Sequence, residues 1–116
     1  MRNGVAEGFG IYTSANGAKY IGEWSDDQQN GKGIESWPEG DLYTGYFVNG
    51  KKQGRGILVF SNQEVYVGEF KENKREGAGR FSWSNGIAYD GEWRDGQMHG
   101  KGILMHNGKM QNCRYD

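Results

Sequence analysis

The sequence predicts an all-β fold: an elongated single-layer antiparallel meander of tandem β-hairpins, with about ten strands. Three observations predict it. Tyr20, Tyr43, Tyr66 and Tyr89 recur every 23 residues, and each begins a Tyr-x-Gly-x-Trp/Phe segment that alternates with the period of a strand. Glycine supplies 21 of 116 residues while aromatics number sixteen, a mixture that weakens helices and suits strands. Turn pairs such as Asn16-Gly17, Asn49-Gly50, Asn85-Gly86 and Asp95-Gly96 fall between the alternating segments, and suit tight primed turns because both residues tolerate positive φ.

The elements follow in order. Residues 1–19 form a partial unit whose Gly8 and Gly10 match the glycine pair of a repeat that lacks its first strand. Full repeats occupy 20–42, 43–65 and 66–88. Within each, the first segment carries Gly22, Gly45 or Gly68, then Trp24, Phe47 or Phe70. The second carries the pairs Gly31/Gly33, Gly54/Gly56 and Gly77/Gly79, ending in Trp37, Phe60 and Trp83. The last repeat, 89–110, is degenerate: Gly91, Trp93, Gly100 and Gly102 keep the register, but His106 stands where a ring is expected. Residues 111–116 add a partial strand in which Gln111, Cys113 and Tyr115 replace the Tyr, Gly and Trp. The whole of 1–116 therefore reads as one repeat array without a linker, extending roughly 45 Å at about 4.8 Å per strand. The cut falls within a hairpin at both ends, so open strand edges invite edge-to-edge self-association.

Alternation puts glycines and rings on one face. A glycine opposite a ring leaves room for that ring to lie across the neighbouring strand, so one face builds a thin core. Tyr20, Trp24, Trp37, Tyr43, Phe47, Phe60, Tyr66, Phe70, Trp83, Tyr89 and Trp93 are expected both to hold the array and to line a partner groove. An extended peptide or an amphipathic helix would suit it. The reverse face carries Glu23, Glu69 and Glu92 with Lys32, Arg55 and Lys101, and an aliphatic row at Ile34, Ile57 and Ile103.

The prominent side chains recur with the period, whereas an enzyme needs a unique constellation. Glu23, Glu69 and Glu92 read as ladder positions rather than acid–base carboxylates. The Gly-x-Gly pairs open no helix that would bind phosphate. His99, His106 and Cys113 form no metal-ligand or nucleophile pattern, and no cofactor or metal is expected. Net charge is −1, which gives no global field toward nucleic acid. Charge is uneven along the array: residues 20–42 carry −5, 43–65 carry +2 and 66–88 carry +1. Lys51/Lys52 and Lys74/Arg75 fall at equivalent turn positions and are expected to stack along one edge, where they would contact acidic segments or phosphoinositide headgroups. The first residues, Met1 to Val5, have no apolar signal region, and the lone cysteine fits a reducing compartment, so a cytoplasmic location is expected.

Tyr20-Ile-Gly22-Glu-Trp24 followed by Gly31-Lys-Gly33 resembles a MORN repeat, the membrane occupation and recognition nexus motif. So do Tyr43-Thr-Gly45-Tyr-Phe47 with Gly54-Arg-Gly56, Tyr66-Val-Gly68-Glu-Phe70 with Gly77-Ala-Gly79, and Tyr89-Asp-Gly91-Glu-Trp93 with Gly100-Lys-Gly102. The resemblance implies an elongated, twisted antiparallel sheet with an aromatic groove and no catalytic residues. It also implies a non-enzymatic scaffold or adaptor for partner proteins, in a cytoskeletal or ciliary assembly. A membrane-proximal module binding acidic phospholipid is the alternative reading.

Overall fold

The computed structural model describes residues 7–115. The Met1–Val5 stretch, Ala6 and Asp116, with the expectations that fall on them, lie outside the described residues. Ten strands run β1 (Gly8–Thr13), β2 (Lys19–Ser25), β3 (Gln28–Ser36), β4 (Leu42–Val48), β5 (Lys51–Val59), β6 (Val65–Lys71), β7 (Lys74–Ser82), β8 (Ala88–Arg94), β9 (Gln97–His106) and β10 (Lys109–Tyr115). They pair antiparallel in chain order as one open sheet, measuring 55 × 24 × 19 Å. The meander expected from the sequence is the architecture found.

Two kinds of connection alternate as far as β9, after which a further two-residue turn, Asn107-Gly108, leads into β10. The first is a two-residue turn in which both residues have positive φ, as at Asn49 (50°) and Gly50 (80°). This is the primed geometry that matches strand twist. Asp26-Asp27 and Glu72-Asn73 adopt it without any glycine. Neighbouring turns of this kind are bonded to each other's strands: the amides of Gly50, Asn73 and Gly96 donate to the carbonyls of Gln29, Lys52 and Arg75 at 2.9, 3.0 and 3.0 Å.

The second connection spans five residues and is closed by the amides of Trp37, Phe60 and Trp83, which donate to the carbonyls of Asp41, Glu64 and Ile87. Asn16-Gly17 and Asn85-Gly86 lie in this class, contrary to their expected place in tight primed turns. Only the glycine of each pair has positive φ. The asparagine instead accepts, at Oδ1, the N–H two residues on: Ala18 at 3.1 Å and Ile87 at 3.1 Å. A polar side chain closes the bend locally, so the asparagine backbone has no need of the left-handed region.

The two glycines of each Gly-x-Gly pair have different roles. Between Gly22/Gly33 and Trp24/Gln29 the register shifts, so that Glu23 alone faces the stretch from Asn30 to Lys32. The same shift recurs at Gly45/Phe47, Gly68/Phe70 and Gly91/Trp93. Such bulges bend and twist a sheet. The first glycine sits in the bulge with positive φ, 94° at Gly31 and 88° at Gly77. Glutamate closes it: the Glu69 and Glu92 carboxylates accept the amides of Ala78 and Lys101 at 3.0 and 2.8 Å, and Glu23 accepts that of Lys32. These carboxylates are thus bonded to the backbone rather than merely solvated.

The second glycine lies beneath the tyrosine. Tyr43 is folded flat over Gly45 of its own strand and Gly56 of the next, and a Cβ on Gly56 would fall 2.6 Å from its Cε1. Twist and this close approach let one sheet bury Tyr20, Tyr43, Tyr66 and Tyr89 to 1% exposure or less without a covering layer.

Gly56→Ala is expected to destabilise the array by about 3 kcal/mol or more, since ring and backbone must both shift. Urea denaturation checks this, and stability within about 0.5 kcal/mol of the parent would contradict the packing described.

Candidate binding face

The face that carries the rings is built in two depths. The deep layer is a zigzag of edge-to-face contacts. Trp24 meets Tyr20 at 5.2 Å, Tyr20 meets Phe47 at 5.1 Å, and Phe47 meets Tyr43 at 5.1 Å. The series continues through Phe70, Tyr66 and Trp93 to Tyr89 and Tyr115 without a gap. Each tyrosine hydroxyl donates to a backbone carbonyl three residues on: Tyr20 to Glu23, Tyr43 to Tyr46, Tyr66 to Glu69 and Tyr89 to Glu92, at 2.8 to 3.0 Å. Buried polar tips need such partners. Trp93 Nε1 donates to the Gly79 carbonyl at 3.0 Å.

The shallow layer is what remains accessible. Of the eleven rings expected to line a groove, Tyr20, Tyr43, Phe47, Tyr66, Phe70, Tyr89 and Trp93 are buried within the sheet's own core. Trp24, Trp37, Phe60 and Trp83 are half-buried and keep surface to offer. Trp37, Phe60 and Trp83 occupy one position in successive repeats, each opening a five-residue loop. Phe81 joins the last two, meeting Phe60 at 5.8 Å and Trp83 at 4.8 Å.

Two further rows lie on this face; neither was expected there, although Lys52 and Arg75 of the second were expected at the turn edge. Glu35, Leu58, Phe81 and Leu104 lie between the second glycine and the terminal ring, where simple alternation places them. Gln29, Lys52, Arg75 and Met98 pair with Trp24, Phe47, Phe70 and Trp93 across the bulge.

That second row corrects the expected basic edge. Lys52 and Arg75 are strand residues whose side chains lie over rings. The Lys52 Nζ is 4.9 Å from the Trp37 ring centre and 5.4 Å from that of Tyr43. The Arg75 guanidinium carbon is 4.9 Å from Trp93, 5.4 Å from Phe81 and 5.9 Å from Tyr66. Arg75 Nη2 also donates to the Gly96 carbonyl at 2.7 Å. Burial pushes both pKa values down, and the Glu35 carboxylate pulls that of Lys52 back up. Lys51 and Lys74 are exposed and alternate to the reverse face. The four cations therefore divide between two faces and form no shared patch.

On the reverse face Ile21 and Ile34 of β2 and β3, and Ile57 and Val67 of β5 and β6, remain 39–43% exposed, with Thr44 of β4 between the two pairs. Among the described residues, no His, Cys, Asp and Glu side chains gather into a metal-binding set.

The MORN repeat model matches residues 1–19, 20–42, 43–65, 66–87 and 89–109, and the chain belongs to the MORN-repeat family. The repeat is a binding module. A search of curated proteins finds no match. Among solved structures the fold is similar to the TCP domain of SAS-4 (dCPAP) of Drosophila melanogaster, in complex with a proline-rich motif of Ana2 (dSTIL). The TM-score is 0.57 at 18% identity, over 91% of this chain and 59% of that one. The chain thus spans less than two thirds of that neighbour, and the likeness is one of fold.

Alkaline pH should dissolve the deep layer. Burial raises Tyr20, Tyr43 and Tyr66 from 10.0 to about 12. An unfolded tyrosine ionises near 10 while the folded one keeps its proton. The stability these rings contribute is therefore complete below pH 10 and is lost as pH rises toward 12. Tyrosinate absorbance and far-UV circular dichroism should change together in that window; full ionisation with the sheet intact would contradict it.

Proposed function

We propose that this chain is a non-enzymatic scaffold or adaptor whose aromatic face receives an extended, proline-rich segment of a partner protein. The observation that carries the reading is the row Trp37, Phe60 and Trp83. These rings recur every second strand, about 9.6 Å apart at the backbone. A polyproline II helix advances about 9.3 Å per turn of three residues. Such a helix lying along the array would set one residue of each turn against one ring, and would bring little conformational entropy to lose.

Three features support it. The sheet's long axis of 55 Å offers several such turns. Deep rings held by their own hydrogen bonds keep the shallow ones in place, so the face is organised before a partner arrives. The fold neighbour was solved with a proline-rich motif. The family resemblance supports a cytoskeletal or ciliary setting in the cytoplasm. Acidic-lipid contact is the weaker reading, because Lys52 and Arg75 are engaged over rings and leave Lys51 and Lys74 on the other face.

Titration with a synthetic peptide of Pro-Pro-x repeats, followed by tryptophan fluorescence, tests the proposal. Trp83→Ala and Trp37→Ala should each weaken binding about thirtyfold, a loss of about 2 kcal/mol, with circular dichroism unchanged. Undiminished binding in both variants would remove the ring row from the site. Sedimentation of the protein with phosphoinositide vesicles, lost on reversing Lys51 and Lys74, would favour the membrane instead.

A further inference from the structure

The four repeats differ at the position that faces the bulge ring. In the second and third, that position is a cation, and the cation lies on the aromatic face: Lys52 over Trp37 and Tyr43, Arg75 over Tyr66, Phe81 and Trp93. In the fourth it is Met98, which packs against the core. In the first it is Gln29, whose Nε2 donates to the Glu35 Oε2 at 3.3 Å. Gln29 is uncharged, and the row that reads Leu58, Phe81 and Leu104 elsewhere holds a carboxylate.

A second difference falls at the same place. The ring beneath Lys52 is Trp37, and one repeat earlier its position belongs to Ser14. The missing indole and the missing ammonium leave room, and a cavity of about 750 Å³ opens there. Tyr12, Tyr20 and Trp24 contribute rings to its wall. Tyr12 and Tyr20 each stand edge-on to Trp24, at 6.0 and 5.2 Å. Among the described residues its wall carries the carboxylates Glu7, Asp27 and Glu35 and the ammonium Lys19.

We propose that this N-terminal end of the aromatic face is a receptor for a basic side chain, arginine or lysine, of the bound partner. The incoming cation takes the role that Lys52 and Arg75 fill in their own repeats, over ring faces, with Glu35 supplying the counter-charge. Rings attract a cation through their quadrupole, and partial desolvation strengthens that attraction. The net −5 of residues 20–42 steers basic segments to this end and away from the next two repeats, which carry +2 and +1. The partner on the face is thereby oriented, its basic residue toward β1.

The inference rests on the aromatic face being a protein-binding surface, and the test separates the two readings by using a single capped residue as probe. N-acetyl-arginine methylamide is titrated into ¹⁵N-labelled protein while the four tryptophan indole cross-peaks are followed. A saturable shift is expected at Trp24 and not at Trp83, with little response to the neutral N-acetyl-norleucine methylamide. Gln29→Lys, which copies the second repeat and lets the chain occupy its own site, should weaken the probe about fivefold or more. Glu35→Gln should do the same and reduce the salt sensitivity. Unmoved indole peaks of the other tryptophans report that each variant is folded. Equal shifts with the neutral probe, no saturable shift at Trp24, or full affinity in Gln29→Lys would each overturn the proposal. Proline-rich peptide binding that survives such a result leaves the groove standing, whereas arginine binding without peptide binding sinks the groove alone.

Discussion

Everything in this molecule depends on a tyrosine ring lying flat on a pair of glycines. Tyr20, Tyr43, Tyr66 and Tyr89 each cross from one strand to the next over backbone that bears no Cβ. The ring thereby gains contact that a second layer of structure would otherwise provide. Its hydroxyl closes onto a carbonyl in its own strand, and its edge meets the ring of the next repeat. Burial, hydrogen bonding and inter-repeat contact are thus delivered by one side chain, which explains why it is the same side chain each time. The bulge glycine and its glutamate are the counterpart on the reverse face, where they absorb the register shift that twists the strands around those rings.

Much of this was legible in the sequence because repetition multiplies weak signals. Tyr-x-Gly-x-Trp/Phe and the glycine pairs each recur in register, and strand order in a meander follows from short connections alone. The depth of each ring was not legible. Phe47 and Phe60 look alike as letters, yet the first is buried between two tyrosines and the second opens a loop at the surface. That difference is set by the neighbouring strand, not by the residue's own segment. Lys52 and Arg75 were misplaced for a simpler reason. The connection preceding each is only two residues long, so both residues already belong to strands and alternate onto the ring face. Glu72-Asn73 hides such a turn because neither residue is glycine. Glu35, by contrast, needed only consistent counting by twos from Gly33.

The side chains that vary and the tyrosine–glycine frame therefore occupy different positions. Positions that repeat without change are consumed by folding, and most are inaccessible. The positions that vary, Gln29 against Lys52 against Arg75 and Glu35 against Phe81, lie on top of that frame. Variation at them alters what the surface offers while the tyrosine and glycine frame beneath stays the same, although Phe81 and Arg75 also pack into their own repeats. A chain of near-identical units can in this way present a directional surface, acidic at one end and basic further along.

The bonds that join the two-residue turns across repeats have a mechanical meaning. The long axis runs across the strands, so a pull along it loads the strand–strand hydrogen bonds a few at a time, as in peeling, rather than all together. Each hairpin would open in turn from a loaded end, at low force and in steps set by the repeat. The links from Gly50 to Gln29, Asn73 to Lys52 and Gly96 to Arg75 join neighbouring repeats at one margin of the sheet, where each would have to break before the next unit opened. Compression along the same axis meets strands already in contact. Under tension such an array would lengthen by whole units.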